Sequence, residues 1–416
     1  MVTIEELIRK FRLQQDSYCR AEYNEAQLRR EFLDDMIRLW GWDIGNTEVL
    51  PETFKEVVVE DKIQMNGRAK SPDYALQLVE KKLLFIEAKK PAINIKESKD
   101  SAFQVRSYAW TATHPLCVLT NFAEFAVYDT TIPPLPNDRA DTSRIFYCTF
   151  EEYLAPCKSY PDFPTHWDFI TGLFGKNAVL KGSLAQFRQP GKSKGTALVD
   201  EMFLRDIESW RTILAENIAL RNKISERELN FAVQATIDRI VFLRICEGRG
   251  IEKHGRIEKA AKGKNVYNAL FNLFYEADVR YDSGLFYFST ESGRSGQPDS
   301  VTPKLKIDDS PLKKIVAQLY FPAPYAFEEI SADILGSVYE RFLGKTIRLE
   351  SKHQIKIEEK PEIRKAGGVY YTPVYIVDYI VDNTVGAFLK TQTPQTVKKL
   401  RILDPACGSG SFLIVA

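Results

Sequence analysis

Three side chains in the first quarter of this chain have types and a spacing that could act together on a substrate. Glu87 and Lys89 lie two residues apart in the apolar stretch KLLFIEAKK at 82–90, and Asp73 opens the preceding stretch PDYALQLV at 72–79. Side chains alternate along a β-strand, so Glu87 and Lys89 point to the same face. If the two stretches form neighbouring strands, Asp73 and Glu87 converge on one cation with Lys89 beside them.

Such a set suits the hydrolysis of a phosphodiester, an anion that repels hydroxide and has a poor leaving group. Mg²⁺ prefers carboxylate and water oxygens, polarises a phosphoryl oxygen and lowers the pKa of a bound water. An ammonium group beside it can position that water or stabilise developing charge. The bare pattern also fits an edge hairpin with a solvated Glu–Lys pair. The apolar run LLFI before Glu87 favours a central strand instead, where an unused charge would be costly.

The elements around these residues alternate between helix and strand. Leu28, Phe32, Met36 and Leu39 recur at helical spacing over 24–40, and Gly41 ends the run. A second helix is predicted at 99–113, where Gln104 and Tyr108 lie one turn apart on one face. Further strands are predicted at 57–60, 116–120 and 124–129. The pattern predicts an α/β domain with a cleft at one end of its sheet.

These residues resemble the PD-(D/E)xK nuclease superfamily, in the branch whose downstream helix carries a QxxxY motif. The resemblance implies that Asp73 and Glu87 bind the metal and that Lys89 serves the attacking water. It implies that Gln104 lies near a substrate phosphate, whereas Tyr108 supports packing. An acidic residue of the first helix often joins such sites. Glu25 and Glu31 are both candidates, and either could equally be a solvated helix residue.

The C-terminal stretch carries a second pattern, DPACGSGSF at 404–412, which follows a short apolar run predicted as a strand. It resembles motif I of S-adenosylmethionine-dependent DNA methyltransferases of the amino type, and GGVYYTPVYIVDYIV at 367–381 resembles the motif that precedes it in adenine methyltransferases. The resemblance implies a cofactor pocket lined by Tyr371, Thr372, Pro373, Asp404, Ala406 and Gly408. The Asn/Asp-Pro-Pro-Tyr loop of that family does not occur in these residues. We therefore expect no methylation, and weak or no cofactor binding, by these residues alone.

The predicted architecture has three parts. A PD-(D/E)xK endonuclease domain of α/β class spans 1–175, an all-α connector spans 176–360, and 361–416 begin a doubly wound methyltransferase domain. The Gly- and Lys-rich stretch at 176–196 is predicted as a linker or an exposed basic loop, and 289–312 as a second loop. Because the sequence stops inside a strand–loop–helix unit, we expect a fragment of a longer protein.

The order of these parts resembles Type IIG restriction-modification enzymes. That resemblance implies Mg²⁺-dependent, ATP-independent cleavage of double-stranded DNA by a type II site-specific deoxyribonuclease. It also implies adenine methylation by the intact polypeptide and target choice by a C-terminal recognition domain. The GKT at 344–346 lacks the glycine that a P-loop needs at 339, where Tyr339 stands. Two alternatives stay open: a catalytically silent DNA-binding module of a methyltransferase, and the nuclease subunit of an ATP-driven complex.

Composition limits the remaining possibilities. The net charge is +1, which does not exclude nucleic acid because local patches of charge attract phosphate. Six cysteines without a CxxC pair and four scattered histidines argue against a zinc site and fit a reducing cytosol. No signal peptide or bilayer-length apolar run is present, so a cytoplasmic location is expected. Arg244, Arg249 and Arg280 could contact phosphate, or could equally belong to a solvated or ion-paired helix face.

Overall fold

The computed structural model describes most of the chain. The described residues are 2–51, 54–59, 71–78, 81–186, 199–281, 283–290, 296–350, 355–360, 372, 374–390, 392–397, 400–405, 407 and 410–415. The chain divides into two compact units. The first comprises 1–198, 248–250 and 321–329, and the second comprises 199–247, 251–320 and 330–416.

The first unit is built on a six-stranded sheet whose strands follow one another in chain order. Strands β3 and β4 are parallel, and every other neighbouring pair is antiparallel. The strands predicted at 57–60, 72–79, 82–90, 116–120 and 124–129 are confirmed, whereas β6 was not predicted. Their bounds are β1 Val57–Val59, β2 Tyr74–Leu78, β3 Lys81–Ala88, β4 Leu116–Thr120, β5 Glu124–Asp129 and β6 Arg144–Thr149.

The predicted helix at 24–40 forms, with a π-helical turn in its middle. Asn24 caps its start in a capping box with Gln27, and Gly41 follows its end with a φ of +89° that favours glycine. The helices of this unit are α1 Ile4–Leu13, α2 Gln15–Tyr18, α3 Glu25–Leu28, the π-helical segment Arg29–Leu33, α4 Asp34–Leu39, α5 Lys99–Thr111, α6 His166–Phe174, α7 Lys176–Leu180 and α8 Ser183–Gln186.

Both faces of the sheet are covered, and the alternation of side chains along β3 assigns each residue to one of them. Leu84, Ile86 and Ala88 belong to a core shared with the first helices and α6. Phe85 belongs to a second core that includes Val105 of α5. Glu87 is two residues after Phe85, so the pleat directs it towards the α5 face.

The prediction of a linker or loop over 176–196 is wrong for its first part. Residues 176–180 and 183–186 form α7 and α8, and residues 187–198 lie outside the described residues. Val179 and Leu184 are buried in the core beside α6. One buried apolar residue from each short helix anchors this segment, although its overall composition is polar and rich in glycine and lysine.

The second unit is mainly helical, but the all-α prediction is wrong for its hairpin. Strands β7 Lys345–Leu349 and β8 Ile355–Glu359 pair antiparallel. The loop predicted at 289–312 ends earlier, because a helix begins at Asp309. The helices are α9 Val199–Arg221, α10 Glu226–Gly248, α11 Arg256–Ala261, α12 Val266–Tyr281, the 3₁₀ helix Thr302–Lys304, α13 Asp309–Ala317, α14 Ala332–Leu343, α15 Val374–Val381, the π-helical segment Asp382–Gly386, α16 Ala387–Leu389, α17 Pro394–Val397 and α18 Ser411–Val415.

The three connector arginines have different environments. Arg244 is buried, its Nε donates to the carbonyl of Leu319, and its guanidinium lies over the Tyr320 ring. Arg244 therefore has a structural role, and of the possibilities left open for it, the burial of this residue rules out the phosphate contact. Arg280 is ion-paired to Glu252 at 2.5 Å, and Arg249 is exposed. Within the described ranges, every helix is too short or too polar to span a bilayer.

One buried histidine of the first unit gives a pH-dependent prediction. His114 packs edge-on against Phe85, and its Nε2 has no hydrogen-bond partner among the described residues. Burial, with help from Lys82 and Lys81, lowers the pKa of His114 from 6.5 to about 4. The unfolded chain therefore binds the proton first as the pH falls. We expect the free energy of unfolding to drop by about 3 kcal/mol between pH 6.5 and 4 from this group.

Urea unfolding at a series of pH values measures that loss. His114→Leu should unfold with a flatter pH dependence over the same interval. Equal slopes in wild type and His114→Leu would contradict the assignment.

Candidate active site

The register of β2 and β3 brings the two predicted metal ligands together. Tyr74 pairs with Ile86, so Asp73, one residue before β2, lies across from Glu87. The N–H of Ala88 donates to Oδ2 of Asp73 at 2.7 Å and holds that carboxylate at the end of the strand pair. Opposite residues on antiparallel strands have Cβ atoms roughly 5 Å apart, which is within reach of one shared cation.

Lys89 completes the predicted trio. Its backbone N–H donates to the Thr120 carbonyl at 3.0 Å, which continues the β3–β4 pairing past the end of β3 and fixes the direction of the side chain. Its Nζ donates to Oε1 of Glu87 at 2.5 Å. Two residues that the sequence predicted to share a face are therefore in direct contact.

Helix α5 adds the predicted glutamine. Gln104 Nε2 donates to Glu87 Oε1 at 3.0 Å and to the Tyr108 hydroxyl at 3.1 Å. Every residue from 101 to 111 is buried except Gln104, which is partly exposed. Gln104 therefore lies at the solvent side of the site. Burial, then the charge of Glu87, raises the pKa of Tyr108 well above its usual value, so this hydroxyl stays protonated. Tyr108 thus lies in the second core and accepts a hydrogen bond from Gln104.

One member of the site was not predicted. Arg29, in the π-helical segment, donates from Nη1 to Asp73 Oδ1 at 3.4 Å, and its guanidinium lies 5.0 Å from the centre of the Tyr74 ring. Tyr74 in turn donates to Asp34 at 2.7 Å. π-helical turns inside α-helices are frequent at functional sites. The sequence signal for Arg29 is weak, because one arginine in an amphipathic helix has no distinctive spacing.

We call Arg29, Asp73, Glu87, Lys89 and Gln104 the strand-end cluster. Asp73 and Glu87 are both 0% exposed, and each contacts one cation, Arg29 or Lys89. Two acidic and two basic side chains are thus paired inside the strand-end cluster, and buried charged groups in proteins are normally paired in this way.

The donor chemistry of the strand-end cluster fits a hard divalent cation. Mg²⁺ is commonly held by one or two carboxylates and completes its octahedron with water. Among the described residues, no group of three acidic, histidine or cysteine side chains is placed to hold a metal. Glu31 is ion-paired to Lys10 at 3.2 Å and accepts from Tyr18, and Glu25 is half-buried. Neither of these two glutamates, which lie in α3 and the π-helical segment, therefore forms a three-acid group with Asp73 and Glu87.

The residues predicted to bind S-adenosylmethionine are described only in part. Tyr371, Pro373, Ala406 and Gly408 lie outside the described residues, whereas Thr372 and Asp404 are partly buried. Helix α15, which follows the Tyr-x-Thr-Pro stretch, packs against α18, which follows the glycine-rich turn. The predicted strand before Asp404 is wrong: residues 400–403 are not β-structure, because no strand in the described part of the chain pairs with them.

The GKT sequence has structural partners. Lys345 is ion-paired to Glu208, and the Thr346 hydroxyl donates to the side-chain oxygen of Asn230 at 3.2 Å. Both residues lie in β7 after a helix, whereas a P-loop follows a strand and precedes a helix.

Comparison with known proteins places the chain among restriction and modification proteins. It is 34% identical over 418 residues to the Type II restriction enzyme and methyltransferase RM.Eco57I of Escherichia coli, covering 99% of this chain and 40% of that protein. It is 31% identical over 235 residues to the Type I restriction enzyme MjaIX methylase subunit of Methanocaldococcus jannaschii, covering 47% of this chain and 37% of that protein. The chain thus spans about two fifths of the length of these relatives.

Two solved structures are also similar. The DrdV–DNA complex covers 99% of this chain and 34% of its own, at a TM-score of 0.29 and 14% identity. The type IIG restriction endonuclease BpuSI covers 94% of this chain and 37% of its own, at a TM-score of 0.23 and 13% identity.

The family match is local and lies at the C-terminal end, where residues 330–416 match N-6 DNA methylases. This segment contains both motifs that the sequence pointed to, at 367–381 and 404–412. The predicted resemblance to restriction-modification enzymes is confirmed: the chain is similar over 99% of its length to a type II restriction enzyme and methyltransferase, and its residues 330–416 match the N-6 DNA methylase family.

Proposed function

We propose that this protein is a Mg²⁺-dependent endonuclease that cleaves double-stranded DNA without ATP, within a type IIG restriction-modification enzyme. One observation carries the proposal: Asp73 and Glu87 face each other at the end of β2 and β3, and Lys89 contacts Glu87 at 2.5 Å. The similarity to a restriction enzyme and methyltransferase supports the same reaction class.

Each residue of the strand-end cluster has a task in this proposal. Asp73 and Glu87 hold the divalent cation, which when bound polarises the scissile phosphate and makes water a better nucleophile. Lys89 keeps a positive charge beside Glu87, where it can orient water or stabilise negative charge on phosphate. Gln104, on the solvent side, would donate to a phosphate oxygen by exchanging its bond to the Tyr108 hydroxyl for one to the substrate. Arg29 holds Asp73 in position.

The C-terminal segment supports the second half of the proposal. N-6 DNA methylases transfer a methyl group to the exocyclic amine of adenine, and S-adenosylmethionine is the donor that the resemblance implies. Thr372 and Asp404, with the neighbouring motif residues, would bind that cofactor. Methylation by the enzyme and target choice by a recognition domain in the same polypeptide are parts of this proposal.

Cleavage of phage DNA by the purified full-length protein tests the function directly. We expect cutting with Mg²⁺ alone, no cutting in EDTA, and no further increase with ATP. Sequencing of the fragment ends with and without S-adenosylmethionine would give the target. A requirement for ATP would instead favour the nuclease subunit of an ATP-driven complex, and cutting in EDTA would contradict the proposed metal site.

A second function is favoured by the burial of the two carboxylates. Asp73 and Glu87 are 0% exposed and each already contacts a cation, as in a module that binds DNA but has lost metal-dependent catalysis. Calorimetric titration of the protein with Mg²⁺ separates the two. If the wild-type protein releases or absorbs heat on Mg²⁺ binding and the Asp73→Asn variant does not, the result supports the nuclease proposal. If the titrations of wild type and variant are identical, the result supports the catalytically silent module.

A further inference from the structure

We propose that a basic cavity in the second unit binds the phosphate backbone of duplex DNA through Lys253, Lys259 and Lys264. This inference rests on the proposed function for its partner, DNA, but concerns residues far along the chain from the strand-end cluster. We call the cavity, formed around the start of α11 and the middle of α12, the α11 cavity. Its volume is about 750 Å³.

Positive charge is concentrated in the segment that forms this cavity. Residues 251–264 contain five lysines and arginines and two glutamates, a net charge of +3, although the whole chain carries only +1. Five cationic side chains line the cavity against a single carboxylate, Glu252. A concave surface lined by one sign of charge focuses its field on a ligand of the opposite sign.

Some of these cations are already used inside the protein. Arg256 and Arg280 are both paired with Glu252, and Arg256 also pairs with Glu276. Lys262, in the same segment, pairs with Glu258 at 3.1 Å. Both cavity arginines are thus paired with Glu252, the one carboxylate among the described residues that line the cavity.

The other three cations have no such use. Lys253, Lys259 and Lys264 are exposed and form no ion pair with any described residue. Burial, then the nearby charge of Arg244, lowers the pKa of the neighbouring His254, so this ring adds no charge near pH 7. The lysines therefore supply the unbalanced charge of the cavity.

The backbone beneath the lysines is held firmly. Glu247 is 1% exposed and accepts from the N–H groups of Gly255 at 2.9 Å and Ile257 at 3.0 Å. The Tyr320 hydroxyl donates to the same carboxylate at 2.6 Å. Gly255 has a φ of +81°, which favours glycine and turns the chain into α11. The three lysines thus extend from a fixed base rather than from a loose loop.

The lining indicates which part of DNA would bind. Among the described residues, no phenylalanine, tyrosine or tryptophan lines the cavity, so this lining offers no platform on which an unstacked base could lie. Its apolar part consists of short or aliphatic side chains such as Ala260, Ala269 and Leu273. Lysine acts as a point charge on phosphate without reading sequence. The chemistry therefore fits the backbone of a duplex, contacted independently of sequence.

The salt dependence of DNA binding tests this surface. Two triple variants of the full-length protein are compared. The cavity triple combines Lys253→Gln, Lys259→Gln and Lys264→Gln. The matched triple combines Lys223→Gln, Lys304→Gln and Lys306→Gln, three lysines that are exposed elsewhere in the same unit. Binding to a short duplex is followed by fluorescence anisotropy without divalent metal, between about 50 and 200 mM salt. Each lost phosphate contact should reduce the slope of log K against log salt by about 0.9.

We expect the cavity triple to lose about 2.7 from that slope and at least about tenfold in affinity near 0.1 M salt, with circular dichroism unchanged. The matched triple should bind like the wild type. Equal slopes in the cavity triple and wild type, or equal losses in both triples, would overturn this inference and leave the nuclease proposal intact. A wild-type protein that neither binds nor cuts DNA would overturn both.

Discussion

Replacing Asp73 with asparagine should abolish DNA cleavage while DNA binding persists. Asparagine keeps the shape of the side chain, and its oxygen can still accept from the Ala88 N–H, which lies 2.7 Å from Oδ2 of Asp73. The charge that holds a divalent cation is lost, so we expect cleavage to slow by at least about 10²–10³-fold. Binding should persist because removing a negative charge does not weaken attraction to phosphate.

The same loss is expected when the ammonium of Lys89 is removed, and the chain offers a matched control. Lys81 begins β3 and Lys89 follows its end, but Lys81 is exposed whereas Lys89 Nζ contacts Glu87. Lys89→Met should therefore lose cleavage, and Lys81→Met should keep it.

Single-turnover cleavage of a plasmid measures both effects, with duplex binding measured in parallel. Asp162→Asn, at an exposed position of the first unit, serves as the control for Asp73. Cleavage at the wild-type rate by Asp73→Asn or Lys89→Met would remove the catalytic role of the strand-end cluster.

The central part of this site could be predicted because its determinants are local. The run LLFI marks a buried strand, its alternation puts Glu87 and Lys89 on one face, and Pro72-Asp73 opens the neighbouring strand. The register then confirms that the strands pair with Asp73 across from Glu87. Gln104 followed from helical spacing in the same way. Short-range periodicity thus determined most of the strand-end cluster.

The parts that were missed depend on contacts between distant residues. The segment at 321–329 lies against α5: the ring of Tyr325 is 6.0 Å from that of Trp110, and Thr111 donates to the carbonyl of Pro324 at 3.3 Å. Glu329 is also ion-paired to Lys82 at 3.0 Å. More than 200 residues separate these partners in the chain, and no periodic pattern reports such a pairing.

Two segments were predicted wrongly because tertiary packing, and not local composition, determines their structure. Residues 176–186 are polar on average, yet Val179 and Leu184 are enough to dock two short helices on the core. Residues 400–403 are apolar and strand-like, yet they lack a strand to pair with among the described residues. A β-strand is stable only within a sheet, so β-propensity alone could not predict whether residues 400–403 form a strand.

Arg29 gives the second large effect, on stability. Asp73 is fully buried, and Arg29 Nη1 lies 3.4 Å from its Oδ1. Arg29→Met keeps an unbranched apolar side chain but leaves this carboxylate with less positive charge around it. Breaking one side of a buried ion pair costs about 3–5 kcal/mol. We expect the free energy of unfolding of the metal-free variant to fall by about 3 kcal/mol.

Mg²⁺ should reverse part of that loss if Asp73 and Glu87 hold the metal. A ligand that binds only the folded state adds about 2.7 kcal/mol at a hundred times its Kd. The cation would supply the charge that Arg29 no longer provides, so the temperature of thermal unfolding should rise with Mg²⁺ more in Arg29→Met than in wild type.

The control is Arg38→Met, which removes a half-exposed pair with Asp35 and should cost about 0–1 kcal/mol with no added response to Mg²⁺. Equal losses in the two variants would mean that Arg29 does not balance the charge of Asp73. A loss confined to Arg29→Met that Mg²⁺ leaves unchanged would place the metal somewhere other than these two carboxylates.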